Sequence, residues 1–375
     1  MILLLTIWNP AKHTKIFAHI NKTHMQITKL LLFILFASSA FPTQARECLA
    51  RTWTGAVGSA PVMIEFDTIG ADNTLAGRYY YRNNMDDLLL IRDPANFSRW
   101  KEIGPKGQVT GYVTISCSGE SLTGEWRSPD GLRTQQLNAR PDPSHAYAKN
   151  RLDAIKPMVV ARKSLSTFRY EQLEAKGQQS ITGLRLVGDG SGIAKINEKL
   201  KREFLSAIDE DITCRSYGRL SRGENHGFEN EAEWGVVAWN KAFVVVSASA
   251  SGYCGGAHPN FGSGASTYDV TTGDSEDVSS WLVEDYRKDI SSASRLGKLL
   301  IQLFLQEGNE PQCRDEIQLS GQVVWPTPKG MVFQTWAPYA SSACISDIVV
   351  PHSKITSYLS PRGKSKIQNF LNAAR

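Results

Sequence analysis

Several signatures of known chemistry are missing from this chain. It has no Cys-x-x-Cys pair, no His-x-x-x-His spacing and only 7 histidines in 375 residues, so the usual arrangements that hold zinc are not present. It has no Gly-x-Ser-x-Gly elbow, which excludes the hydrolases that raise a serine on a strand-to-helix turn. The run Gly188-Asp-Gly-Ser-Gly-Ile-Ala-Lys195 sits before a helix but lacks the gap and the Lys-Ser/Thr pair of a nucleotide loop, as well as the acidic spacing of a calcium loop. It reads as a turn with Ser191 near the helix N-cap. No cofactor is expected.

The chain also lacks a bilayer-length apolar run. From Met25 it reads Met-Gln-Ile-Thr-Lys, then the apolar stretch Leu30 to Ala40, then Phe41-Pro-Thr-Gln-Ala45. A basic start, a short apolar centre and small residues before a cut are the parts of a secretory signal. The apolar centre holds about a dozen residues where a membrane span needs about 20, so residues 1–45 are expected to be a cleaved leader whose true start is Met25. That leader carries Lys12, Lys15, Lys22 and Lys29 and no acid, so its removal takes the formal net charge from +5 to +1. A nearly neutral body gives no reason to expect nucleic acid or an anionic membrane surface as a partner.

All six cysteines, Cys48, Cys117, Cys214, Cys254, Cys313 and Cys344, follow the leader. An even count in an exported chain favours structural disulfides. Position along the chain suggests Cys48 with Cys117, Cys214 with Cys254, and Cys313 with Cys344, among about 15 possible pairings.

What is present points to two domains and an α+β fold. Residues 46–140 hold short apolar runs parted by turn signals, among them Val62 to Phe66, Leu75 to Tyr81, Leu88 to Ile91, Val109 to Ile115 and Leu122 to Trp126. That spacing predicts an antiparallel β meander, a curled sheet or partial barrel. Residues 141–163, with Pro141, Pro143 and several charges, read as a linker, although Lys149 to Ile155 can form a short helix. Residues 164–375 mix two periods. Ile193, Ile196, Leu200, Phe204, Leu205 and Ile208 fall at helical spacing, Leu296 to Leu305 is a second helix candidate, and strand-like runs lie around them. An α+β domain with a mainly antiparallel sheet is predicted.

Within this second region, Tyr253-Cys-Gly-Gly-Ala-His-Pro-Asn260 is followed by Thr267-Tyr-Asp-Val-Thr-Thr-Gly273, by Lys329-Gly-Met-Val-Phe333, and by Ile348-Val-Val-Pro-His-Ser353. Residues 165–362 thereby resemble the domain at the C-terminus of the bacterial anti-sigma factor RsiV, a lysozyme receptor, which also occurs in some envelope-associated polysaccharide deacetylases. The resemblance implies an exported cell-envelope domain. Because the chain lacks the cytoplasmic sigma-binding part such a receptor needs, an anti-sigma role is not expected.

His258 is the side chain most suited to a ligand, since two glycines let the backbone come close and an imidazole can donate or accept. The aromatic stripe Tyr79-Tyr80-Tyr81 with Trp53, Trp100 and Trp126 is a second candidate. Alternation puts Tyr79 and Tyr81 on one face and Tyr80 on the other, so one face packs a core and the other is offered as a glycan platform. The resulting expectation is a non-enzymatic binding protein of the periplasm or cell envelope. Its partner is expected to be a lysozyme-like protein or a peptidoglycan fragment, held around Gly255, Gly256, His258 and Asn260. The alternatives are a small envelope hydrolase pairing His258 with an acid such as Asp269, and a stabilising structural module.

Overall fold

Alternation of inward and outward side chains builds the first layer. Along β2 (Ala60–Ile69), Val62, Ile64 and Phe66 join one buried cluster with Trp53 of β1 (Thr52–Val57), Tyr79 of β3 (Thr74–Tyr81), Leu90 of β4 (Asn84–Arg92) and Trp100 of β5 (Arg99–Ile103). β6 (Val109–Cys117), β7 (Leu122–Arg127) and β8 (Thr134–Pro141) continue the meander. In the computed structural model each strand pairs antiparallel with the next, and β8 returns to β1, so the expected curled sheet or partial barrel is a closed eight-stranded barrel. Gly55 lies on that seam, where a Cβ would stand 2.1 Å from the Asn138 carbonyl oxygen. The structure describes residues 49–69, 74–82, 84–144, 147–222 and 228–373. The expected leader and Cys48 lie outside them.

Eight strands leave an interior just wide enough for side chains to fill. Trp53 and Trp100 fill this one and are fully buried. Tyr79 is 2% exposed inside the barrel and Tyr80 is 1% exposed outside it, because Tyr147 covers Tyr80 with ring centroids 5.0 Å apart. The proposed glycan platform is therefore packed on both faces. One carboxylate stands in the interior, where Glu102 accepts hydrogen bonds from the Tyr79 hydroxyl, from Thr110 Oγ1 at 2.6 Å and from Trp126 Nε1 at 2.9 Å. Burial, and then the Glu102 charge, push the Tyr79 phenol well above its ordinary range.

The second part is layered on a seven-stranded sheet. Its strands are β9 (Met158–Leu165), β10 (Phe168–Ala175), β11 (Gln178–Val187), β12 (Glu229–Trp239), β13 (Phe243–Tyr253), β14 (Asn260–Asp269) and β15 (Ser275–Glu276), in the spatial order β15-β14-β13-β12-β11-β10-β9. Among the described residues only β11 and β12 pair in parallel, so the sheet is mainly antiparallel. Helix α1 (Tyr147–Ala154) precedes β9, and α2 (Ser191–Arg222) crosses over between β11 and β12. The stretch 141–163, linker-like in composition, thus contains a helix and most of a strand. A three-stranded sheet follows, β16 (Gln318–Thr327), β17 (Gly330–Trp336) and β18 (Asp347–Pro351), with α3 (Arg295–Gln306) before it and α4 (His352–Ile355) and α5 (Pro361–Ala373) after it.

Both faces of the large sheet are covered. Ile193, Ile196, Leu200, Phe204, Ile208 and Ile212 of α2 recur every three or four residues and pack on Leu184, Leu186, Val244 and Val246. On the other face, Phe243 and Val245 meet Trp281, Phe304, Met331, Phe333, Ile348 and Phe370. Glu276 ties α5 to this core by accepting from Trp281 Nε1 at 2.9 Å, from Arg362 at 2.8 Å and from Lys366 at 2.8 Å.

The barrel meets the sheet domain through one buried carboxylate. Asp87 of β4 is fully buried and accepts from Arg151 at 2.8 Å, the Tyr147 hydroxyl at 2.7 Å and Ser216 Oγ at 2.7 Å. Arg151, itself fully buried, also reaches Asp209 at 2.7 Å, and Arg219 donates to the Asp87 carbonyl oxygen at 3.1 Å. Removing one partner of such a pair leaves an uncompensated buried charge, which costs about 3–5 kcal/mol. Asp87→Ala is expected to lose about that much stability. Urea unfolding checks it, and an unchanged midpoint would mean that Arg151 finds another acceptor.

Candidate functional site

The Gly255–Asn260 segment is the tip of the β13–β14 hairpin. Gly255 and Gly256 have φ values of 97° and 107°, a region that side chains other than glycine rarely adopt, so the two glycines set the path of the turn. The Tyr253 hydroxyl closes it by donating to the Gly256 carbonyl oxygen at 3.0 Å. Asn260 begins β14, paired with Gly252. A disulfide between Cys254 and Cys214 fastens the tip to α2.

His258 projects from this tip and is exposed. Its Nδ1 lies 2.9 Å from the Pro259 carbonyl oxygen. A carbonyl only accepts, so Nδ1 is the donor of this bond. The imidazole stacks on Tyr339 with centroids 3.8 Å apart and planes 16° from parallel. Phe261 lies 6.1 Å from the same ring. Tyr339 opens the short helical turn Tyr339–Cys344, which is fastened by the Cys313–Cys344 disulfide. Two loops, each held by its own disulfide, therefore meet at one aromatic stack. Phe261 is 48% exposed and Tyr339 47%, and Trp336, at the end of β17, is 53% exposed.

Beside the stack lies a cleft of about 290 Å³ between the hairpin and the three-stranded sheet. Trp325 and Val332 form its buried floor, and Ser249, Ser263 and Asp347 stand at its exposed rim. The Gln334 side-chain amide donates to Ser263 Oγ at 3.0 Å and to Asp347 Oδ1 at 3.1 Å. The surrounding protein raises the Asp347 carboxyl above its ordinary range, and the bond from Gln334 works against that shift.

The structure brings together Gly255, Gly256, His258 and Asn260 but does not bring Asp269 to them. Asp269 ends the ten-residue strand that Asn260 begins, roughly 30 Å away at 3.3 Å per residue. There its carboxylate accepts from the amides of Thr271 and Thr272. The pair suggested for a hydrolase is not formed, because His258 lies just before one end of β14 and Asp269 closes the other. Among the described residues no group of three or more His, Cys, Asp or Glu side chains is placed to hold a metal ion, and no helix is long and apolar enough to cross a membrane. Cys117 is disulfide-bonded. Phe261, Trp336 and Tyr339 were not legible as site residues. The one available signal was an aromatic in a polar loop, Ala337-Pro-Tyr-Ala-Ser-Ser-Ala-Cys344, just ahead of a cysteine.

No family model matches the chain, and no curated protein is similar to it in sequence. Among solved structures it is similar to a DUF3298 family member from Bacteroides fragilis, at 13% identity over 58% of this chain and 96% of that one, with a TM-score of 0.38. It is also similar to a DUF3298 family protein from Pseudomonas aeruginosa, at 12% identity over 55% and 92% of the two chains, with a TM-score of 0.34.

Opening Cys214–Cys254, by a double substitution to serine, is expected to cost about 2–5 kcal/mol and to speed amide exchange at residues 254–260. Denaturant unfolding and exchange measurements check this. Unchanged exchange at the tip would show that packing of Phe228 and Tyr253, whose rings lie 5.3 Å apart, holds the turn without the covalent link.

Proposed function

We propose that this chain is a non-enzymatic binding protein of the periplasm or cell envelope that holds a protein partner of the lysozyme type on the hairpin-tip surface. The observation that carries this reading is the His258–Tyr339 stack between two disulfide-fastened loops, flanked by exposed Phe261. Grouped aromatics on a rigid support are what the energetic centres of protein interfaces are made of, because ordering them on binding costs little entropy. The disulfides are chemistry of an oxidising compartment, in keeping with export. The type of partner comes from the likeness of the Tyr253–Asn260 motif to the lysozyme-receptor domain.

A second reading rests on the cleft. Its apolar floor and its rim of Ser249, Ser263, Gln334 and Asp347 suit a peptidoglycan fragment, whose sugars offer both apolar faces and hydroxyls. Calorimetry with lysozyme and with soluble peptidoglycan fragments separates the two. Tyr339→Ala and His258→Ala are expected to weaken lysozyme binding about ten-fold or more, whereas Asp347→Asn is expected to act on the fragment alone. Binding to neither ligand would overturn both readings.

A further inference from the structure

The seven-stranded sheet has two outer edges of opposite character. At one, β9 follows Pro157 and carries exposed Arg162 and Lys163, the kind of residues with which natural sheets discourage pairing at an open edge. At the other, β15 pairs with β14 only at Thr267 and Tyr268. The rest of that edge, Asn260-Phe-Gly-Ser-Gly-Ala-Ser266, carries no charge and no proline.

The direction of the backbone groups follows from two hydrogen bonds. The Val270 amide reaches the Ala242 carbonyl on the β13 side at 2.9 Å, and the Asp269 amide reaches the Asp274 carbonyl on the β15 side at 3.0 Å. Residues of an antiparallel strand alternate in this respect, so Phe261, Ser263 and Ala265 turn their N–H and C=O groups away from β13. Among the described residues none of these groups has a backbone partner. Phe261 and Ser263 are exposed, and a Cβ built on Gly262 meets nothing within 4 Å. Val323, 3.8 Å from the Cβ position of Gly264, marks the inner end of the open edge, and the His258–Tyr339 stack marks the outer end.

We propose that β14 takes up an extended peptide segment of the protein partner as an added strand along Asn260–Ala265. An alternating row of donors and acceptors at strand spacing is matched by another extended backbone. The partner's backbone bonds to Phe261 and Ser263, and its side chains rest against the exposed aromatics at the tip. This rests on the reading of the hairpin as a protein-binding surface and names how the partner is held.

The test uses the full mature protein and a synthetic probe, an acetylated and amidated hexapeptide of alternating threonine and valine, with the same peptide N-methylated at every amide as control. The unmethylated probe is expected to bind with a Kd of about 1 mM or tighter and the methylated one about ten-fold or more weaker, with slowed amide exchange at Phe261 and Ser263. Ser263→Pro removes one outward donor without touching the bonds to β13, and Gly262→Lys places a guarding charge in open space. Each is expected to weaken the probe about ten-fold or more, while Ser263→Ala does not. Thermal unfolding shows that the variants fold, and Gly262→Lys carries the test if Ser263→Pro does not. Equal binding of the two probes, or no effect of Gly262→Lys, overturns the inference. Lysozyme binding that depends on Tyr339 but is untouched by the edge variants sinks the added strand and leaves the patch. Probe binding that depends on the edge, with no lysozyme bound, sinks the patch and leaves the strand.

Discussion

The Asp87 carboxylate is the interaction on which the arrangement of this molecule depends. A buried charge is tolerated only when its hydrogen-bonding capacity is met. The groups that meet it come from α1 (Tyr147, Arg151) and from the far half of α2 (Ser216). Satisfying one side chain of the barrel therefore fixes where two helices of the neighbouring domain must lie. Arg151 carries the same logic outward to Asp209, and Arg215 extends it through Asp211, Gln178 and Asp86. The junction is polar at its centre, so it specifies one geometry where an apolar contact would accept several.

The surface at the other end of the molecule is built on the same principle of restraint. A glycine turn alone gives a hairpin tip many conformations, and an exposed loop such as that of Tyr339 is no stiffer. Cys214–Cys254 and Cys313–Cys344 tie each loop to a buried cysteine, and the rings of His258 and Tyr339 then meet nearly face to face. Covalent restraint makes up for the few core contacts available to residues so far from the sheet centre, and it allows large aromatics to stand in water without collapsing onto the body.

Much of the fold was legible in the sequence, and the misses share a cause. Val62 to Phe66 announced itself as a strand through alternation, Phe243 to Val246 through a continuous apolar run buried on both faces, and the first half of α2 through Ile193, Ile196, Leu200 and Phe204. Helix α2 runs on to Arg222, and beyond Ile212 its buried residues include Ser216 and Arg219, so the apolar stripe fades before the helix ends. Helix α1, expected over Lys149 to Ile155, spans Tyr147–Ala154, and its start was not legible because its buried residues are Tyr147 and Arg151. Strand β9, with exposed Arg162 and Lys163, looks polar because much of its surface stays wet, and β10 looks polar because it buries Glu171 against Arg185 and Arg162. At the candidate site the glycine turn and His258 were visible as a motif. Tyr339 was not, because only the tertiary fold brings residue 339 over residue 258.

The position of Cys214 has a mechanical meaning. It lies two residues before Ser216 and five before Arg219 on one helix, so the covalent anchor of the hairpin tip and the hydrogen bonds to Asp87 are separated by about one helical turn. Tension applied at the tip passes through the disulfide into the stiffest element of the domain and arrives almost at once on the barrel. The far end of α2 is thus a short strut between the surface and the junction, and a load on the hairpin is shared between the sheet into which β13 and β14 are paired and the eight-stranded barrel.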